Sequence, residues 1–536
     1  GYLELLRLKP FLNDPAYTTS YILQHLDWLL LISSFLAILV GLAGIFLLSP
    51  IYARLRSKRQ NRHLHGSARW MKISEARKYL SNGSLIVGEC PRSVLQLGAK
   101  DPDLLRFDGS GHLLTVAGSG SGKSISVAIP NALSWTGSLV AHDPKGELAR
   151  LCSRQRRNMG RNVAVIDPAD PTSDTINLLE TLDPTDSNLL EDAETIVSWL
   201  RTDGGSNNKE DNYFADEGAK LVRTLLWATI CAPREHEPAP TLREVRRVIT
   251  SGDITSVLFK LSKTGKEFAF GAVGQYAREL MDIADNSDRQ WAGIVGHASQ
   301  MTYWLSTPNL ARIVCGDEVL GPSVSLRDFS EGNLDIFICI PIMTLDATPE
   351  PARLLIGSLL REKYRNKAGA QAEKTLFLLD EMPRLKRMSV LETARDFGRS
   401  SGVVLWSIIQ DLGQLELYYD KFGRQSWFEN AQIKTFFGIG DFENEELLSN
   451  MLDKETRTFS SVSNSSQERG NRAQTDASQT TGRRLMTPNE IMTMRLDENG
   501  IPDEQLMFIR GRPPLKCGMA KYFRRTDLNG LVNDEH

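Results

Sequence analysis

Seven short apolar runs punctuate the chain: "HLLTVA" (112–117), "SLVAHD" (138–143), "NVAVID" (162–167), "LDIFICIP" (334–341), "TLFLLD" (375–380), "VVLWSI" (403–408) and "IKTFFGIG" (433–440). Each is apolar at nearly every position. A strand with one face in water alternates, so these runs predict strands buried on both faces. Helical stretches separate several of them, which predicts βαβ units and a largely parallel sheet. Between residues 183 and 320 the period changes. "FADEGAKLVRTLLWATI" sets Leu221, Val222, Leu225, Leu226 and Ile230 on one helical face, and "TLREVRRVI" and "GQYARELMDIA" continue the style. Strands lie on both sides, so an all-α domain over 183–320 is expected as an insertion between two parts of the sheet domain, 111–182 and 321–526. Three stretches read as irregular: the polar loop "RTDGGSNNKEDN" (201–212), a mobile loop over 459–482, and a frayed tail over 527–536. The loop over 459–482 is small and polar and buries too little to offset its ordering entropy.

One run differs in length. Trp28 to Leu48, "WLLLISSFLAILVGLAGIFLL", carries no charge, and its 21 residues span roughly 31 Å as a helix. It predicts a membrane span over 28–51. Arg54, Arg56, Lys58, Arg59, Arg62, Arg69 and Lys72 follow it, whereas residues 10–27 hold no Lys or Arg. The positive-inside rule therefore leaves residues 1–27 outside and everything after the span in the cytoplasm, with 52–110 a membrane-proximal linker and the start of the sheet domain. The chain opens at Gly1 and not Met, and with an outside N-terminus this suggests a further span upstream.

A length of 536 residues calls for three or four units. The net charge of −3 excludes polyanion binding by bulk charge, so any nucleic-acid contact must be a local patch or a pore lining. The six cysteines are scattered without a CxxC pair and read as reduced, buried thiols.

The chemistry concentrates at the ends of the apolar runs. Ala117-Gly118-Ser119-Gly120-Ser121-Gly122-Lys123-Ser124 matches the P-loop pattern except that Ala117 stands at the first glycine. Residues 118–122, without bulky side chains, let the backbone N–H groups converge on phosphate oxygens, and the helix that follows adds its N-terminal dipole. Lys123 would reach the β- and γ-phosphates of ATP, and the Ser124 hydroxyl would ligate Mg²⁺. The second half of such a site is an apolar strand ending in carboxylates, and "TLFLLDEMPRL" supplies it. Asp380 would hold the Mg²⁺ and Glu381 would polarise the attacking water. Gln410 ends another strand, where an amide can sense the γ-phosphate. Arg399 precedes that strand, where a neighbouring subunit can present a guanidinium. A strand-end glutamine and a surface arginine are equally ordinary readings of those two. Asp143 ends a strand too; neither it nor Lys145 or Glu147 has an assignable step.

In this order, "HGSARW" (65–70), "GSGSGKS", "HDPKGEL", "YFADEGAKLV", "LLDEMPRL", "SIIQDLGQL", "RRLMTPNEI" and "RGRPPLKC" resemble the TraG-like coupling proteins of type IV secretion systems. The resemblance implies a hexameric, RecA-like P-loop ATPase with an all-α domain, anchored in the bacterial inner membrane with residues 1–27 periplasmic. It implies partners too: the channel's inner-membrane components and a relaxase–DNA complex or secreted effector proteins. Lys123 and Ser124 then match its first nucleotide motif, Asp380 and Glu381 the second, Gln410 the glutamine motif and Arg399 the arginine finger. The family usually has two spans where one is visible here. Two other readings are a docking receptor whose nucleotide site only controls assembly, and a chromosome-pumping motor of the FtsK type. The latter lacks the helical insertion and the "GSARW" entry.

Overall fold

The computed structural model describes residues 66–91, 101–201, 209–234, 239–365, 373–466 and 472–532. Before these it describes Ala16, Thr19, Ser20, Trp28, Leu30, residues 32–42 and Gly44. The chain divides into two compact units. One comprises Trp70–Met451 with Met486–His536; the other comprises Gly1–Arg69 with Leu452–Leu485.

The larger unit is built on one sheet. Its strands are β1 (Leu85–Glu89), β2 (Leu104–Phe107), β3 (His112–Ala117), β4 (Ser138–His142), β5 (Asn162–Ile166), β6 (Leu334–Ile338), β7 (Thr375–Leu379), β8 (Val403–Ile409) and β9 (Ala431–Phe437). The other unit holds β10 (Lys454–Ser466) and β11 (Arg472–Arg484), and β12 (Glu504–Ile509) and β13 (Leu515–Gly518) complete the sheet. Its order is β2-β1-β13-β12-β9-β3-β8-β7-β4-β6-β5. The seven apolar runs form its parallel part, from β9 to β5. β3, β4, β6, β7 and β8 are buried at every position. Helical residues from Ser124 to Ser134 and from Glu147 to Asn158 cover one face, where Val127, Leu133, Leu148 and Cys152 pack with Leu113, Leu139, Leu376 and Trp406. Four short antiparallel strands extend the sheet beyond β9. Periodicity missed them because β1 and β13 pair across most of the chain and are too short to declare themselves.

Between β5 and β6 lie the helices Leu189–Leu200, Lys209–Cys231, Leu242–Thr250, Ile254–Leu261, Ala272–Asn286, Asp288–Thr302 and Pro308–Cys315. Leu221, Val222, Leu225, Leu226 and Ile230 are all buried, as their shared helical face requires. Backbone bridges Asn177–Cys315 and Ile176–Val324 close the base of this stretch against the chain leaving β5.

Several expectations need correction. Residues 459–482 do not read as a loop. β10 and β11 pair antiparallel from Lys454–Arg484 to Ser466–Arg472, because two polar strands rich in Thr and Ser can satisfy each other's backbone groups without an apolar core. Residues 467–471 of that segment lie outside the described residues. The tail is packed, not frayed, through Val532: Leu528 and Val532, four apart, are both buried, and Arg154 donates to the Val532 carbonyl at 2.9 Å. Part of the polar loop 201–212 is helical from Lys209, and 202–208 lie outside the described residues. Among the described residues no helix is long and apolar enough to cross a membrane. Residues 32–42 of the predicted span are helical and exposed. As a continuous described stretch they reach only about 16 Å. The rest of 28–51, apart from Trp28, Leu30 and Gly44, lies outside the described residues.

Candidate functional site

In a parallel sheet all carboxyl ends point to one edge, where ligand sites form. Here β8 lies between β3 and β7, with Val116 level with Ile409 and Leu379 level with Ser407. That order brings the loop after β3, Gln410 after β8 and Asp380-Glu381 after β7 to one place. The sequence motifs separated by more than 250 residues meet in side-chain contact: Lys123 Nζ donates to Glu381 Oε1 at 3.1 Å. Gln410 Nε2 donates to both Glu381 oxygens, at 2.8 and 2.9 Å. Lys123, Asp380 and Glu381 are all buried.

The loop is shaped as a phosphate cradle. Gly120 and Gly122 take φ of +71° and +86°, the left-handed region that only glycine enters freely. Gly118 admits no side chain, since a Cβ there would lie 2.6 Å from the Gly438 carbonyl oxygen in the loop after β9. Ser121 folds its hydroxyl back to the Gly118 carbonyl at 2.6 Å, so it braces the loop and does not face a ligand. Among the described residues the N–H groups of Ser119, Gly120 and Gly122 have no acceptor, as an anion site needs. The first turn after Lys123 is wide, with the Ile129 N–H donating to the Ser124 carbonyl five residues back, an arrangement frequent at functional sites.

The carboxylates are held under strain and away from water. Glu381 has φ +53°, a left-handed conformation that costs a non-glycine residue about 1–3 kcal/mol and persists where surroundings over-determine it. The Asp380 carboxyl is pushed up to about 6, first by burial and then by the Glu381 charge beside it. His142, at the end of β4, donates from Nδ1 to the Asp380 carbonyl at 2.6 Å. Burial pushes its imidazole down to about 4, so at neutral pH it is an uncharged donor. His142 was missed in the sequence; the signal is a polar residue closing a buried strand. Asp143 follows it, buried, and accepts from the Ala149 N–H at 3.0 Å, capping the helix Glu147–Asn158. Burial also pushes Asp143 up to about 6. Lys145 is exposed, and its charge opposes the rise of Asp380. These residues thus support the site rather than enter it.

The donor set fits a magnesium nucleotide. The Ser124 hydroxyl makes no hydrogen bond among the described residues, and Asp380 Oδ1 accepts only from the Glu381 N–H, at 3.1 Å. No group of three or more His, Cys, Asp or Glu gathers as a metal cage among the described residues. Magnesium suits such a sparse site, because it takes one or two protein ligands with phosphate oxygens and waters. Arg399 is the one candidate the fold sets apart. It sits in the turn before β8, whose seven residues span about 23 Å and separate it from Gln410 at the opposite sheet edge. It is exposed and makes no ion pair among the described residues.

Comparison with known proteins gives the same direction. The sequence model of "type IV secretory system conjugative DNA transfer" matches residues 69–535. The chain is 33% identical over 562 residues to the conjugal transfer protein TraG of Agrobacterium fabrum, covering 99% of this chain and 82% of that one. It is 29% identical to the type IV secretion system-coupling protein VirD4 of Bartonella henselae, covering 98% of this chain and 83% of that one. Among solved structures, the plasmid coupling protein TrwB in complex with ADP and Mg²⁺ has a TM-score of 0.58 at 15% identity, over 85% of this chain and 94% of that one. At that identity the likeness concerns the fold.

Proposed function

The chain belongs to the type IV secretory system conjugative DNA transfer family, and on that premise we propose that it is a magnesium-dependent ATPase that couples a transfer substrate to a secretion channel. The observation that carries this reading is the meeting of Lys123, Gln410 and Glu381 at one sheet edge, beside the phosphate-shaped loop. The relatives' names, TraG and VirD4, and the nucleotide in the TrwB complex agree with it.

The residues take these roles. The free N–H groups of Ser119, Gly120 and Gly122 bind the phosphates, and Lys123 turns from Glu381 to the β- and γ-oxygens. Losing that partner, the Glu381 carboxylate becomes available to accept a proton from the attacking water, while the Gln410 amide orients the water beside it. Ser124 and Asp380 would hold the magnesium ion, which neutralises charge developing on the phosphates. Arg399 lies at the far sheet edge of its own subunit, so its guanidinium serves the site of the neighbour in a ring. We take that ring to be a hexamer at the inner membrane. ATP turnover in it would drive a relaxase–DNA complex or an effector protein toward the channel.

The test is ATP turnover by the full chain in lipid nanodiscs, together with substrate transfer from cells. Lys123→Ala should abolish both. Turnover that persists in Lys123→Ala contradicts the motor and favours a docking receptor.

A further inference from the structure

Arg353, on the helix Glu350–Arg365, is 2% exposed, and among the described residues no carboxylate pairs with it. Its guanidinium spends its donors on four backbone carbonyls instead. Nε donates to Trp199 O at 2.7 Å and Nη2 to Arg201 O at 2.9 Å. Nη1 donates to Leu385 O at 2.7 Å and to Arg387 O at 2.9 Å. The first pair closes the helix Leu189–Leu200, which opens the helical stretch. The second pair brackets the end of the short turn Met382–Leu385, which begins directly after Glu381.

That turn is held at both ends in a conformation ordinary residues avoid. Glu381 precedes it with φ +53° and Lys386 follows it with φ +56°. The carbonyl between the two that Arg353 binds, Lys386 O, accepts from the buried Tyr419 hydroxyl at 3.2 Å. Three consecutive carbonyls, 385 to 387, are therefore fixed by two buried side chains. Glu350, one turn earlier on the helix, acts on this charge only at a distance; a buried charge without a direct ion pair is costly, and a hydrophobic residue of similar volume would fill the space without that cost. What only a planar five-donor fork supplies is simultaneous reach to two backbone segments. On the outer side, Lys386 and Arg387 line a groove of about 1270 Å³ together with Arg201, Tyr303 and Trp304 of the helical stretch, so the clamp lies where the two parts of the unit meet.

We propose that Arg353 is a positioning residue for hydrolysis, fixing the turn that carries Glu381 to the first helix of the helical stretch. The idea rests on the hydrolytic reading above. Movement of that helix then reaches Glu381 through one side chain, and Tyr419 sets the same turn from the other side.

The experiment compares the full chain with Arg353→Lys, Tyr419→Phe and Glu381→Gln, measuring kcat and KM for ATP and the melting temperature. Lysine keeps the charge but cannot span both carbonyl pairs. Misplacement of a reacting group by an ångström can cost about 100-fold in rate. Arg353→Lys should lower kcat at least about tenfold with KM within about twofold, and Tyr419→Phe should lower kcat about threefold with melting unchanged. If Arg353→Lys fails to fold, Tyr419→Phe decides alone. Wild-type kcat in the folded variants, or kcat falling only in step with KM and melting temperature, overturns the assignment. If Glu381→Gln itself turns over ATP normally, the hydrolytic reading has failed and this inference with it. If Glu381→Gln is inactive while the other two keep wild-type kcat, only the role of Arg353 falls.

Discussion

Lys123 and Glu381, 258 positions apart in sequence, form a buried ion pair with Nζ 3.1 Å from Oε1. In the proposed roles, the lysine for the phosphates thus holds the carboxylate for the water. The Glu381 carboxylate is engaged by an ammonium and by two amide hydrogen bonds, so on the proposed reading it meets a water only after Lys123 has moved away. On that reading, phosphates that draw Lys123 away would free the carboxylate only once ATP is in place.

Removing the lysine separates these roles. Lys123→Ala leaves the cradle without its cation and is expected to weaken ATP binding at least about tenfold, the scale of a lost charge-assisted contact. Equilibrium titration with a fluorescent ATP analogue checks this; unchanged affinity would place the phosphates elsewhere.

Acidification should weaken magnesium-nucleotide binding. Asp380 titrates near 6, and a cation competes with the proton for it. Affinity should be level above pH 7 and fall below pH 6 by up to about tenfold per pH unit. Isothermal titration calorimetry across pH 5–8 reads this directly, and net proton release near pH 6 should accompany binding. A flat profile would remove Asp380 from the metal.

The same shift bears on stability without ligand. A carboxyl raised in the folded state favours folding below its unfolded value and loses that contribution as pH rises through the folded value, near 6. At pH 7.5 the charged, buried Asp380 therefore costs roughly 3 kcal/mol, by the conversion of about 1.4 kcal/mol per pKa unit. Asp380→Asn should raise the nucleotide-free melting temperature at pH 7.5, and the gain should shrink toward pH 4. A variant that melts lower at pH 7.5 would mean that the carboxylate is already compensated.

Arg399 is expected to act between subunits. Arg399→Ala should bind ATP normally and lose turnover. Rings mixed from Arg399→Ala and Glu381→Gln chains contain interfaces where an intact glutamate faces an intact arginine, so mixing should restore part of the activity. No recovery would exclude action in trans.

The sequence disclosed the parallel core because strands buried on both faces cannot hide their apolar runs. It disclosed Lys123 and Glu381 because a phosphate cradle and a strand-end carboxylate pair carry local patterns. The order β3-β8-β7 is a matter of pairing between distant segments, and no local pattern encodes it. His142 and Arg353 escaped notice for a related reason: both act on backbone carbonyls, which leave no trace in side-chain spacing. The β10–β11 hairpin was misread because composition measures burial, and this ladder rests on backbone pairing.

The most direct test is to measure ATP affinity and steady-state turnover together in Glu381→Gln. If the loop after β3 and the acids after β7 serve one magnesium nucleotide, affinity should stay within about threefold while turnover falls at least about 100-fold, the contribution of a positioned base. Turnover near that of the unaltered chain, with affinity intact, would contradict it.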